Sequence, residues 1–224
     1  MKTFGTAAIL AGGRSARMGF DKQLLTLNDR YFFEHNLHTL SRAFDDIVAV
    51  TNTPKLYEGS GIRTVQDAFP HMGPLAGLHA ALSASRSHYV YLIACDMPIM
   101  NLPYAILLKD RLLSSQRAAA LACLEGKLET FNAFYSTDLK TPAEDTLKTA
   151  LRNRSHPPGI YGFLKKQGIP LTVIPEEELR SIDPHLELFT NINTPQEYKA
   201  FLRKADSTET GLFSSEAAAN PSLE

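Results

Sequence analysis

Short β-branched or apolar runs alternate along this chain with amphipathic stretches of helical period, and that alternation limits the fold more than any other feature. Residues 6–10, 46–50, 63–65, 89–94, 118–122, 131–135 and 171–174 read as strands, bounded by turn residues. Residues 32–43, 77–85, 102–114, 138–152, 159–167 and 195–204 carry apolar side chains at helical spacing. Strands with one helix between them are the sequence form of βαβ units, because parallel neighbours need a long crossover and close it right-handed. The expectation is an α/β fold of three layers, with a mostly parallel central sheet and helices on both faces. The last helix has the clearest start: Thr194 as cap, Pro195 in the first turn and Glu197 as the reciprocal partner of a capping box.

Composition removes several function classes. With 44% hydrophobic and 21% charged residues in 224 positions, the chain is too apolar for disorder and large enough for a core without metal or disulfide staples. A net charge of −1 argues against wholesale binding of nucleic acid or an acidic membrane. The charge is uneven, however. Residues 206–224 carry Asp206, Glu209, Glu216 and Glu224 with no Lys or Arg, which leaves +3 on the body, a surplus compatible with an anionic small substrate. One domain over residues 1–205 is expected, followed by a disordered tail over 206–224. Cys95 and Cys123 lack metal-site spacing and cannot form a disulfide framework. The first residues do not make a signal peptide, and no run reaches membrane-span length, so a cytoplasmic protein is expected.

In an open parallel sheet, ligands bind where the carboxyl ends of the strands meet their loops. The loops read Ala11-Gly12-Gly13-Arg14 after the first strand, Thr51-Asn52 after the second, Gln66-Asp67 after the third and Cys95-Asp96-Met97-Pro98 after the fourth. A glycine-rich basic loop and two aspartates thus share one rim. Gly12 and Gly13 let backbone amides approach an anion, and Arg14, Arg17 and Lys22 add three cations within nine residues. Arg grips phosphate oxygens in a fork and Lys acts as a point charge, so a triphosphate suits this loop. Neither GxGxxG nor GxxxxGK[ST] occurs. Asp96 closes an apolar run, where a carboxylate needs a partner, and Mg²⁺ with substrate phosphates is one that fits. Gly73-Pro74-Leu75-Ala76-Gly77 opens a helix whose start suits anions. Cys95 reads as a buried thiol, and the seven histidines, His35 and His38 included, complete no metal triad.

The segment Leu10-Ala11-Gly12-Gly13 … Arg17-Met18-Gly19 … Lys22, in the pattern LAGGxxxRMGxxK, resembles the opening signature of the molybdenum cofactor guanylyltransferases. Gly12 stands where the related cytidylyltransferases usually have Ala. Gly73–Gly77 and Cys95-Asp96-Met97-Pro98 match further family motifs, and Asn191-Ile192-Asn193-Thr194-Pro195 is similar to the family's carboxyl-terminal segment. The resemblance spans residues 6 to about 203. It implies a Rossmann-like nucleotidyltransferase fold, nucleotide-binding in the N-terminal half and acceptor-binding in the C-terminal half. It also implies a Mg²⁺-dependent transfer of GMP from GTP to the terminal phosphate of molybdopterin, with pyrophosphate released. By the same resemblance Leu10, Ala11, Gly12, Lys22, Asn52, Asp67 and Asp96 contact GTP, with Asp96 as the metal ligand and Lys22 and Arg17 beside it in catalysis. Arg17, Gly19, Gly73, Gly77, Asn191 and Asn193 border the acceptor, the two asparagines on one side of a short strand. Other molybdenum-cofactor proteins and recipient molybdoenzymes are implied partners, with no nucleic acid and no membrane. CTP or ATP as donor, another phosphorylated acceptor, and a non-catalytic nucleotide-binding regulator stay open as alternatives. Asn132 and the 153–159 segment depart from the family pattern in the acceptor half.

Overall fold

The computed structural model describes residues 1–11 and 21–207. In chain order the strands are β1 (Lys2–Leu10), β2 (Thr26–Leu27), β3 (Arg30–Tyr31), β4 (Asp46–Val50), β5 (Arg63–Val65), β6 (Ser87–Ala94), β7 (Ala119–Leu124), β8 (Lys127–Ser136) and β9 (Leu171–Pro175). The α-helices are α1 (Phe32–Leu40), α2 (Pro74–Ala84), α3 (Leu102–Ser115), α4 (Lys140–Arg152), α5 (Ile160–Lys166), α6 (Glu176–Arg180) and α7 (Pro195–Ser207). Among the described residues β2 and β3 pair as a small hairpin, and the others form one sheet ordered β5-β4-β1-β6-β8-β7-β9. The pairs β5–β4, β4–β1, β1–β6 and β7–β9 are parallel, and β8 runs antiparallel to both its neighbours. The expected mostly parallel α/β sheet is present.

Alternation along the central strands divides the core in two. Ala7 and Ile9 of β1 join Tyr91 and Ile93 of β6 on the face covered by α1 and α3. Ala8 and Leu10 join Val90 and Leu92 on the face covered by α2, α4 and α5. Strands buried on both faces read as continuous apolar runs, which is why they were legible in the sequence. A third cluster lies apart: Leu25, Leu27 and Phe32 pack with Ile192 and Phe201, so α7 returns to the segment that follows the glycine loop. Tyr198 on α7 fixes this contact by donating its hydroxyl to the Thr26 carbonyl at 2.6 Å.

Several boundaries differ from the sequence reading. β8 starts at Lys127, four residues before the expected strand, and follows β7 through the two-residue turn Glu125–Gly126, both of whose residues have positive φ (48° and 75°). That geometry matches strand twist in a tight hairpin, so this pair is antiparallel and not a βαβ unit. α2 starts at Pro74, three residues before the expected position, because Gly73 caps it at φ 73° and Pro74 fits the first helical turn. α7 runs through Ser207, two residues into the segment expected to be a disordered tail. The β2–β3 hairpin and α6 have no counterpart in the sequence reading. No described helix is long and apolar enough to cross a membrane.

Candidate active site

The rim expected from the strand order is built as follows. Leu10 lies level with Val50 on one side and Ala94 on the other, and Val50 lies level with Val65. The next main-chain bonds run from Ala11 N–H to Val50 O, Thr51 N–H to Val65 O and Cys95 N–H to Leu10 O, at 2.9–3.0 Å. Ala11, Asn52, Asp67 and Asp96 therefore emerge at neighbouring strand ends. The chain leaves β1 toward β4 and β5, then returns to β6 on the other side of β1. Such a reversal in strand order is where open α/β sheets leave a crevice.

Lys22 and Asp96 meet at that reversal. The Lys22 ammonium donates to Asp96 Oδ2 at 2.5 Å and to Asn193 Oδ1 at 2.7 Å. Asp96 is only 7% exposed, and its Oδ1 has no hydrogen-bond partner among the described residues. A buried carboxylate oxygen without a donor is costly, and a cation would relieve it. No three His, Cys, Asp or Glu side chains converge to hold a metal among the described residues. Asp96 is thus suited to Mg²⁺ in the mode that uses one or two carboxylates, water and substrate phosphates.

The second site aspartate has a different environment. Asp67 Oδ1 accepts the Phe69 N–H at 2.8 Å, closing a turn. Burial raises the Asp67 carboxyl above the usual carboxylate range, offset in part by that N–H and by His79 and His71. His79, on α2, packs edge-on to Phe69, and burial holds its imidazole below the ordinary histidine value. Asn52 is exposed at the end of β4.

The glycines of the α2 start separate into two roles. Gly73 has open space where a Cβ would lie, and its φ of 73° is what requires glycine. Gly77 is buried, and a Cβ there would come within 2.9 Å of Leu10 Cδ1. The missing side chain at Gly77 lets the start of α2 pack closely on Leu10 of β1. The carboxyl-terminal asparagines differ from expectation. Residues 190–194 form no strand. Ile192 N–H bonds the Asp96 carbonyl at 3.0 Å, which delivers Asn193 to Lys22. Asn191 is exposed and lines a separate cleft of about 260 Å³ with Ile99, Ile192 and Phe201. Thr194 and Glu197 make the expected reciprocal cap, and Glu197 also accepts the Asn193 N–H at 2.6 Å. Gly12, Arg17 and Gly19 lie outside the described residues. Cys95 is 8% exposed and burial pushes its thiol up, away from nucleophilic chemistry.

A profile described as the MobA-like NTP transferase domain matches residues 7–170. The chain belongs to that family. Over 90% of its length it is 38% identical to a molybdenum cofactor guanylyltransferase of Syntrophotalea carbinolica, 92% of which is covered. A probable molybdenum cofactor guanylyltransferase of Peptoclostridium acidaminophilum is also 38% identical, with 89% of each chain aligned. Among solved structures, molybdopterin-guanine dinucleotide biosynthesis protein A of Archaeoglobus fulgidus superposes with a TM-score of 0.73 at 25% identity, over 90% of this chain and 99% of that one. A 2-C-methyl-D-erythritol 4-phosphate cytidylyltransferase of Thermus thermophilus shares the fold at TM-score 0.64 and 14% identity, covering 89% and 98%.

In this MobA-like chain, sequence motifs marked Lys22, Asp67, Asp96 and Asn193 but missed Gln23. Its amide is buried and binds Thr51, Thr53, Tyr57 and Asp21. A glutamine beside a motif lysine carries no distinguishing sequence signal. The three hydroxyls that reach its carbonyl come from a loop 28–34 residues away.

Proposed function

We propose that this chain transfers GMP from GTP to the terminal phosphate of molybdopterin. An oxygen of the acceptor phosphate attacks the α-phosphorus, the bond from that phosphorus to the β-phosphate bridging oxygen breaks, and pyrophosphate leaves. The observation that carries the reading is the Lys22–Asp96 pair at the β1/β6 reversal, in a chain 38% identical to a guanylyltransferase. The acceptor phosphate has a second pKa of about 6 and is already largely ionised at neutral pH, so no general base is needed. What remains is positioning and charge neutralisation.

In this reading Lys22 turns from Asp96 toward the phosphates and offsets the charge that develops on them. Leu10 and Ala11 present main chain to the nucleotide, and Asp67 and Asn52 hold the nucleoside. Asn193, Asn191 and Gly73 lie toward the acceptor. Arg17, Gly12 and Gly19 take their roles from the resemblance alone. Asp96 would hold Mg²⁺, which when bound neutralises phosphate charge and orients the reacting groups. The reaction belongs in the cytoplasm, with the product passed to molybdoenzymes. The test is a melting-temperature panel with Mg²⁺ and GTP, CTP or ATP, followed by pyrophosphate release with molybdopterin. GTP should stabilise most and alone support release; a larger shift with CTP makes the chain a cytidylyltransferase.

A further inference from the structure

Gln23 sits on the turn directly after Lys22 and is 6% exposed. Its Oε1 accepts the hydroxyls of Thr51 at 2.7 Å, Thr53 at 3.2 Å and Tyr57 at 3.2 Å. Its Nε2 donates to both oxygens of Asp21, at 3.2 and 3.0 Å. The partners fix the amide's orientation. Flipped, it would set a carbonyl against a carboxylate, two acceptors with no proton between them. Burial pushes the Tyr57 phenol up, helped by the nearby Asp21 carboxylate, so Tyr57 stays a donor.

These bonds link two parts of the candidate site. Lys22 is the covalent neighbour of Gln23, and Thr51 and Thr53 bracket Asn52. A side chain that merely filled this space could be apolar, whereas this one has its carbonyl engaged by the loop that follows β4 and its amide by Asp21 of its own turn. We infer that Gln23 is a positioning residue of the nucleotide site. Without touching the nucleotide, it holds the phosphate-side Lys22 and the nucleoside-side Asn52 in one rigid register. The inference rests on the reading of the site given above.

Gln23→Leu keeps the bulk and removes every side-chain bond. Per folded molecule, KM for GTP should rise and kcat should fall by roughly 10–100-fold, the scale seen when a group that orients a ligating residue is lost. KM for molybdopterin should not change. A purely structural role would lower the active fraction and leave both KM values alone, and that result overturns the inference. Non-additivity is the second readout: in a Lys22→Ala background, Gln23→Leu should cost kcat less than about threefold, because the group it positions is gone. Fully multiplicative losses overturn the inference. If Gln23→Leu does not fold, Thr53→Val at the exposed side of the network should raise KM for GTP in the same direction, and an unchanged KM rejects the proposal. Normal turnover in Lys22→Ala alone would remove the nucleotide-site reading and Gln23 with it. A damaged Lys22→Ala beside a normal Gln23→Leu removes Gln23 only.

Discussion

Lys22 and Asp96 stand 74 positions apart, yet their side chains meet in a contact only 10–15% exposed. Removing one partner of a buried pair leaves the other charge uncompensated, so Lys22 carries structural weight as well as chemistry. Lys22→Ala should lower kcat by roughly 10²–10³, the scale of one lost electrostatic donor at a developing charge. It should also lower the melting temperature of the ligand-free protein, unlike a rim lysine that contacts nothing. Steady-state turnover and a thermal melt test both, and near-normal turnover takes Lys22 out of the reaction. Asp96→Asn separates the two uses of the carboxylate. Asn can still accept from the Lys22 ammonium but lacks the charge that draws Mg²⁺. Turnover plotted against Mg²⁺ should fall and shift to higher concentration; overlapping curves would reduce Asp96 to a support for Lys22.

Among the elements, β8 is the least regular. Ala120 pairs with Phe134 and Ala122 with Glu129, so β8 spends extra residues on a bulge containing Asn132. Asn132 is fully buried at φ 50°, a conformation that Asn tolerates better than most side chains. Its amide donates to the Leu188 carbonyl at 2.6 Å and its oxygen accepts the Tyr91 hydroxyl at 3.1 Å. This residue therefore ties β6 and β8 to the short helical turn 187–189 that leads to Asn193. Asn132→Ala would strand two buried polar groups and should cost about 2–6 kcal/mol at roughly 1–3 each. Urea unfolding measures it, and a loss under about 1 kcal/mol would mean the bulge does not depend on this side chain.

Across the whole molecule, the two sheet rims respond to pH in opposite directions. Far from the site, burial would raise Asp46, but the Arg63 fork at 2.7 and 2.8 Å, the Thr6 hydroxyl and Arg86 hold it below the usual carboxylate range. That stabilisation is complete above an unfolded value of about 3.9 and is lost as pH falls through the lowered folded value. At the site rim, Asp67 is raised by burial, so the folded state favours its proton and stability falls as pH climbs through the raised value. Asp67→Asn should therefore raise the melting temperature at pH 7 while weakening GTP binding. Asp46→Asn should lower the melting temperature at pH 7 and flatten its decline in acid. Melting curves from pH 3 to 8 check both, and a destabilised Asp67→Asn at pH 7 would contradict the assignment.

The layered sheet was legible in the sequence, because β1, β4 and β6 are buried on both faces and had to be continuous apolar runs. So were the contents of the rim, since residues that follow parallel strands must emerge at one edge, and the Thr194–Glu197 cap, which is local chemistry. The β7–β8 hairpin was hidden because Glu125–Gly126 is a weak turn signal between runs that suit either direction. How the site is held could be read only from the packed molecule. Asn193 reaches Lys22 because α7 packs on the segment after the glycine loop, Gly77 packs closely on Leu10, and the carbonyl of Gln23 finds its partners on another loop. The physical reason is that strand and helix periods are written in neighbouring residues, whereas buried polar groups are satisfied by whichever groups the packed sheet brings within hydrogen-bond reach.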